Sequence, residues 1–272
     1  MKKQKKYGCT NSHFENSSGE HSTEHYSTAY DMALIGKYAM KFDVIKSAAS
    51  QIKFSLPATE LYEKDDRVYY TANEMLLTGS KNYYRYSKGV KTGFTTPAGY
   101  CLMVYAEKNG LPVIAVVMKS TTQNSRYDDA KEILNYSFDN NVLRTIAESG
   151  TNMQTIYVKK GSKDTKKLNA ILAQKIIGVV KAENKNLTIE PKVVINEKLK
   201  APIEKGTVIG KATYEVEGRI YESDVIAETD VKKSKVGVTF LLIFIGVFAL
   251  LGGLRGRSIY KRTKTLRKIR GK

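Results

Sequence analysis

The sequence predicts an α+β chain. Residues 1–150 read as an antiparallel sheet with helices, residues 153–231 as a small β-sandwich domain, residues 236–254 as one apolar helix and residues 255–272 as a basic tail. Three observations carry this. Tyr100–Ala106 and Val113–Met118 are runs of strand formers joined across Asn109-Gly110, a dipeptide suited to a tight hairpin turn. Met32, Ile35, Tyr38, Ala39 and Phe42 recur at helical spacing. Beyond Ser149–Asn152 the pattern changes to short β-type runs.

Taken in order, residues 8–27 are rich in Gly, Ser, Asn, Thr and His and predict a loop. A helix starts after Ser27 or Thr28, where Thr28 with Asp31 resembles a capping box. Residues 43–72 are mixed, with Pro57 as a breaker, and a short helix or turn is expected at Asn73–Leu77. Residues 126–148 predict a helix with Ala130, Ile133, Leu134, Phe138 and Leu143 on its core face. Asp128, Asp129 and Glu132 lie near its start, where the helix dipole favours acids. In the second domain strands are expected at Gln154–Lys159, Thr188–Ile195, Thr207–Val216 and Val225–Glu228. Turns at Lys160-Gly161, Lys205-Gly206 and Glu217-Gly218 separate them.

The formal net charge is +18, from 45 Lys+Arg against 27 Asp+Glu. Four of the basic residues fall in 1–6 and twelve in 232–272, and neither segment holds an acid. Residues 7–231 are therefore nearly neutral. They carry no nucleic-acid motif, so a nucleic-acid partner is not expected. Val236–Leu254 is nineteen residues without a charge. As a helix it reaches roughly 28 Å, about the hydrocarbon thickness of a bilayer. Nine Lys/Arg follow it and three precede it, which predicts a single-pass cell-membrane protein with a cytoplasmic C-terminus and an extracytoplasmic body. The N-terminal MKKQKKYGCTNSHF has basic residues but no apolar run of an export signal. A chain inserted tail-first, or one lacking its true beginning, is expected.

Cys9 and Cys101 form neither a metal spacing nor a disulfide framework. The strongest chemical signal is Lys91-Thr92-Gly93 in GVKTGFTTPAGY, beside the Tyr100 strand. A lysine ammonium and a threonine hydroxyl can meet a carboxylate, and a glycine lets a ligand backbone approach an edge strand closely. Ser50-Gln51-Ile52-Lys53 and Ser80-Lys81-Asn82 match short nucleophile-type patterns, but a helix end and a loop explain them. His21-Ser22-Thr23-Glu24-His25 matches H-x-x-E-H, which would make a zinc peptidase on His21, Glu24 and His25 only if both histidines shared a helix face. The surrounding composition predicts a loop instead, and neither a metal nor a cofactor is expected. Tyr69-Tyr70 and Tyr83-Tyr84-Arg85-Tyr86 suit half-buried strands and loops, or contacts to sugar or peptide beside a cleft.

These residues together resemble the serine-type D-Ala-D-Ala carboxypeptidases, the low-molecular-mass penicillin-binding proteins of peptidase family S11. The matching stretches are Asn11-Ser12-His13-Phe14, Asn16 and Gly19, then His25–Ala29 and Asp31–Ala33. Asn73 with Leu76-Leu77, Gly89–Gly93 with Thr95, Ala98-Gly99 and Leu102, and Ala201–Ile203 with Lys205-Gly206 and Gly210 continue the match. The resemblance implies a partial penicillin-binding-protein/β-lactamase-like domain, a C-terminal β domain and a membrane anchor. It implies peptidoglycan stem peptides ending in D-Ala-D-Ala, and β-lactams, as ligands of Lys91, Thr92, Gly93 and Thr95. In that family a serine attacks the penultimate D-Ala carbonyl and water hydrolyses the acyl-enzyme. The Ser-x-x-Lys and Ser-x-Asn motifs fall upstream of Asn11 in the resemblance, so no catalytic residue is expected in this chain. A truncated or split product is implied, inactive alone, with a separately encoded N-terminal half as a possible partner and with apolar surface left uncovered in 1–150. The other classes of reading are a non-catalytic, membrane-anchored envelope binding or scaffold module and the zinc peptidase.

Overall fold

The computed structural model describes residues 7–62, 67–234, 244–253, 255–257 and 259. The chain divides into two compact units, residues 1–144 with 179–187, and residues 145–178 with 188–272.

In the first unit, helix α1 (Ala29–Ala39) is capped by Thr28, whose Oγ1 accepts the Asp31 N–H at 3.1 Å. Only half of the expected box forms. The Asp31 carboxylate turns away to accept Asn11 N–H at 2.8 Å and the Ser12 hydroxyl at 2.6 Å. Helix α2 (Asp43–Ser50) follows, then the paired strands β1 (Lys53–Leu56) and β2 (Arg67–Tyr70) and a 3-10 turn at Glu74–Leu76. Strands β3 (Ser87–Thr95), β4 (Gly99–Lys108) and β5 (Leu111–Ser120) form an antiparallel sheet in that order. The β4–β5 turn is the expected Asn109-Gly110, both at positive φ.

Helix α3 (Ser125–Asn140) covers one face of this sheet. Its Tyr127, Ala130, Leu134 and Phe138 pack on Leu102, Val104, Ala106 and Val117. Helix α1 lies on the other face, close enough that a Cβ on Gly36 would stand 2.7 Å from the Met103 sulfur. Burial of these alternating side chains is the main favourable term holding the layers. The expected helix at 126–148 is corrected. It ends at Asn140, and Asn141–Ala147 is strand β6, because Val142, Thr145 and Ile146 are β-branched and favour extended backbone. Ile133, expected in the core, is exposed, and Leu143 packs from β6 instead.

The second unit holds strands β7 (Asn152–Tyr157), β8 (Lys167–Leu172), β10 (Lys192–Ile195), β11 (Val208–Val216) and β12 (Arg219–Ala227). They form one antiparallel sheet in the order β10-β11-β12-β8-β7, while β9 (Ile176–Lys181) crosses the unit boundary. Leu168, Ala170, Leu172, Ala212, Tyr214, Val225 and Ala227 make its core face. That face is covered by Val158, Ala201, Ile203 and Val231 and by Ile176, Ile146 and Ala147 of the two-stranded β6–β9 sheet, so the second layer of the expected sandwich is a short one. Strand β8 was not foreseen. Its Lys, Leu, Asn and Ala favour a helix or are neutral, and cross-strand pairing with β7 and β12 overrides that preference.

The expected apolar span 236–254 lies in part outside the described residues. Positions 244–253 are helical, and among the described residues no helix is long and apolar enough to cross a membrane.

Candidate functional site

Strand β3 is an edge strand, paired with β4 and with no other strand among the described residues. Its register sets Lys91 opposite Met103, Thr92 opposite Leu102 and Gly93 opposite Cys101. Helix α2 fixes its upstream end. A Cβ on Gly89, at φ +119°, would lie 2.6 Å from the Ala49 carbonyl oxygen, so only glycine allows this approach. Gly93 is different. Its Cβ would meet only the Cys101 Cβ, at an ordinary 3.7 Å, so nothing inside the described fold demands glycine there.

A cleft of about 690 Å³ opens along β3, lined by Lys91, Thr92, Gly93, Tyr100, Gln123 and Arg126, with Ser18-Gly19 and Ala72 at its margins. Asn16 shapes the Ser18-Gly19 turn: its Oδ1 accepts Gly19 N–H at 2.8 Å and Glu20 N–H at 3.1 Å. At the floor lies Arg126, only 5% exposed. Its Nη1 donates weakly to the carbonyls of Gly93 and Cys101, both at 3.5 Å, and its Nη2 donates to the Tyr127 hydroxyl at 3.1 Å. Its Nε has no hydrogen-bond partner and its charge no carboxylate within ion-pair distance among the described residues. The rings of Tyr127 and Tyr100 flank it at 4.8 and 5.5 Å. A buried cation so incompletely satisfied is a strong attractor for an anionic ligand.

Glu74 holds this floor in place. Its carboxylate accepts Asn82 Nδ2 at 2.7 Å, Ser80 Oγ at 2.8 Å and Gln123 Nε2 at 2.9 Å. Bonds from Asn82 and Ser80, then Gln123 and the Arg126 charge, hold its carboxyl below the ordinary range despite partial desolvation. Tyr127 adds a second tie, donating its hydroxyl to the Ala72 carbonyl at 3.2 Å.

A second cavity of about 500 Å³ lies between α1 and the sheet. Met32, Ile35, Ala39, Val90, Leu102 and Val116 give it an apolar lining, and Lys91, Thr92, Gly93 and Thr95 border it. Thr95 also closes the β3–β4 turn, its Oγ1 accepting Ala98 N–H at 3.2 Å. Apolar surface is thus uncovered in this unit, with Phe42, Val44 and Phe54 exposed as well.

The other motifs fall elsewhere. Ser50 ends α2 and donates to the Ser47 carbonyl, while Lys53 pairs with Tyr70 in β1. Ser80 and Asn82 are the Glu74 ligands just described. His21–His25 is a turn, not a helix; His25 Nδ1 receives Glu15 N–H at 3.4 Å and His13 Nδ1 contacts the Glu24 carbonyl oxygen at 2.6 Å. The geometry required of H-x-x-E-H is therefore not formed. Tyr84 and Tyr86 pack against α3, and Tyr69 and Tyr70 are exposed on β2. Both cysteines are free; burial, with Asp31 adding, pushes the Cys9 thiol up. Arg126 and Glu74 were missed as site residues. Arg126 falls four and eight residues before Ala130 and Leu134, a charge on a buried helix face, and that was the available signal.

The layered sheet, the Lys-Thr-Gly edge and the appended β domain define a penicillin-binding-protein-like α+β fold. Residues 1–122 match the family described as D-alanyl-D-alanine carboxypeptidase, and residues 143–233 match the penicillin-binding protein 5 C-terminal domain. Residues 1–122 thus belong to the D-alanyl-D-alanine carboxypeptidase family. The carboxypeptidase DacF of Bacillus subtilis is 28% identical over 242 residues, 88% of this chain and 59% of that protein. DacC of Escherichia coli is 28% identical over 218 residues, 80% of this chain and 51% of that protein. The chain thus spans little more than half the length of these relatives. Penicillin binding protein 5 of Haemophilus influenzae shares the fold with a TM-score of 0.57 at 24% identity, covering 85% of this chain and 64% of that one. A peptidoglycan synthesis regulatory factor of Streptococcus pneumoniae does so at 0.64 and 20%, covering 85% and 68%.

Proposed function

We propose that the Lys91–Gly93 edge binds the free D-Ala-D-Ala end of a peptidoglycan stem peptide, as the substrate-binding side of a serine-type D-Ala-D-Ala carboxypeptidase. The observation that carries this reading is the convergence on one cleft, beside an open strand edge, of Lys91, Thr92 and the buried Arg126, whose Nε has no hydrogen-bond partner and whose charge has no carboxylate partner among the described residues. The two cations attract the terminal carboxylate, the Thr92 hydroxyl donates to it, and the β3 backbone adds ladder bonds to the peptide. Gly93 keeps that approach clear, and Thr95 borders the far end.

Hydrolysis in this family adds a serine oxygen to the penultimate carbonyl carbon. The peptide C–N bond breaks, D-Ala leaves with a proton, and water then cleaves the ester. Ser18, at the cleft margin, donates its hydroxyl to Asn16 Oδ1 in an exposed turn, and no basic side chain is hydrogen-bonded to it among the described residues. The reading therefore assigns peptide recognition to this chain. It assigns the nucleophile to further polypeptide seated in the apolar cavity between α1 and the sheet. It also takes 236–254 as a membrane anchor with the body outside, on the charge asymmetry of its flanks.

The test titrates the full chain with an acylated Lys-D-Ala-D-Ala peptide and with its C-terminal amide, alongside a labelled penicillin. The free acid should bind at least tenfold more tightly than the amide, Lys91→Ala should abolish the difference, and no stable penicillin label should form. Equal binding of acid and amide would sink the recognition site. Labelling of any serine would overturn the assignment of the nucleophile elsewhere.

A further inference from the structure

We propose that the end of the β domain nearest residue 236 is a basic docking face for anionic lipid headgroups on the body side of the membrane. The inference rests on the reading that 236–254 enters a bilayer. Backbone contacts gather three separate segments at one end of the sheet, where β7 ends, β8 begins and the chain leaves β12. Lys159 bridges to Lys200 and Gly161 to Lys233. Ser162 N–H donates to the Lys232 carbonyl and Ser234 N–H to the Lys160 carbonyl, both at 2.8 Å. Residues 159–167, 198–200 and 232–233 hold nine lysines, all exposed, against the single acid Asp164, with Glu197 adjacent. None of the nine has a carboxylate within ion-pair distance among the described residues. The opposite end differs: Lys175 there is paired with Glu148 at 3.0 Å.

The occupant follows from the path of the chain. Lys233 is three residues before Val236, where the uncharged segment begins. Three extended residues span at most ~11 Å, close to the ~8 Å screening length at physiological salt. Whatever surface that segment enters therefore lies within electrostatic reach of the lysines. A polybasic group so placed strengthens attachment to an anionic surface by about fivefold per lysine engaged. This face is distinct from the residues 255–272 that follow the span.

The test is flotation of the full chain with neutral phosphatidylcholine vesicles and with vesicles containing phosphatidylglycerol. Wild type is compared with Lys159→Gln/Lys200→Gln/Lys233→Gln and with a control of equal charge loss at the other end of the sheet, Lys175→Gln/Lys192→Gln/Arg219→Gln. Thermal melting checks that both variants fold. The first variant should lose at least tenfold affinity for anionic vesicles at low salt, with neutral vesicles unchanged, and the control should lose less than threefold. Equal affinity of the two variants for anionic vesicles would overturn the docking face, whatever neutral vesicles show. Failure of wild type to float with neutral vesicles would instead remove the anchor. If poly(glycerol phosphate) at equal phosphate displaces the lysine-dependent increment, the partner is a soluble anionic polymer and the lipid assignment falls.

Discussion

Replacing Gly93 by alanine should raise stability and lower ligand affinity together. The added methyl meets only the Cys101 Cβ at 3.7 Å, an ordinary contact, and the backbone there is extended strand. A strand glycine costs roughly 0.5–1 kcal/mol relative to alanine, so Gly93→Ala should stabilise the first unit by about that amount. For a unit of this size the melting temperature should rise by about 2–3 °C. The same methyl adds bulk at a position that lines both the cleft and the apolar cavity. Holding the peptide backbone off one ladder bond costs about 1–1.5 kcal/mol, close to tenfold in affinity. Calorimetric melting and peptide titration on the same preparation read both effects. A variant that melts lower would show that the strand interior, not the ligand, requires the glycine. One that is stabilised but binds unchanged would show that the ligand does not approach here.

Arg126→Met should leave stability unchanged or raise it by up to about 2 kcal/mol, because a buried cation without a carboxylate partner carries an uncompensated desolvation cost. It should also erase the preference for a free-acid peptide over its amide, read by titration. Glu74→Gln should destabilise by about 2–3 kcal/mol at neutral pH, since three bonds to a charged acceptor are weakened. The Glu74 carboxyl lies below its ordinary 4.5, so its contribution is present above that value and fades as pH falls through the lowered one. Urea melts from pH 7 to 3 should therefore show a fall in wild type that is smaller in the variant; parallel curves would refute the assignment. Asp31→Ala removes the acceptor of Asn11 N–H and the Ser12 hydroxyl and should cost about 2–3 kcal/mol. Limited proteolysis should then cut within 10–27 faster, and an unchanged rate would mean the loop is held by other contacts.

Elements with local signals were legible in the sequence. The Asn109-Gly110 hairpin, the Thr28 cap and the Lys-Gly and Glu-Gly turns need only neighbouring residues to declare them. Strand β8 was not legible, because its partners β7 and β12 decide it, whereas the end of α3 had a local signal in the β-branched Val142, Thr145 and Ile146 that the apolar spacing across 126–148 masked. Within the site, Lys91, Thr92 and Gly93 declared themselves by their order in one strand. Arg126 reaches the cleft, and Glu74 braces it through Gln123, only because α3 folds back across the sheet, and no spacing rule connects them. The Ser80-Lys81-Asn82 pattern shows the converse: two residues of a nucleophile-type motif serve as donors to a carboxylate.

The Glu74 node joins groups 49 positions apart to Gln123, and Tyr127 reaches 55 positions back to Ala72. Contacts that span so much chain close after the β4–β5 hairpin, because loop entropy must be overcome before they contribute. The floor of the cleft is thus complete only once α3 has packed back against the sheet. Amide exchange at Gln123 and Arg126 should outpace that at Val104 and Ala115, making ligand capture a reporter of complete folding rather than of secondary structure alone.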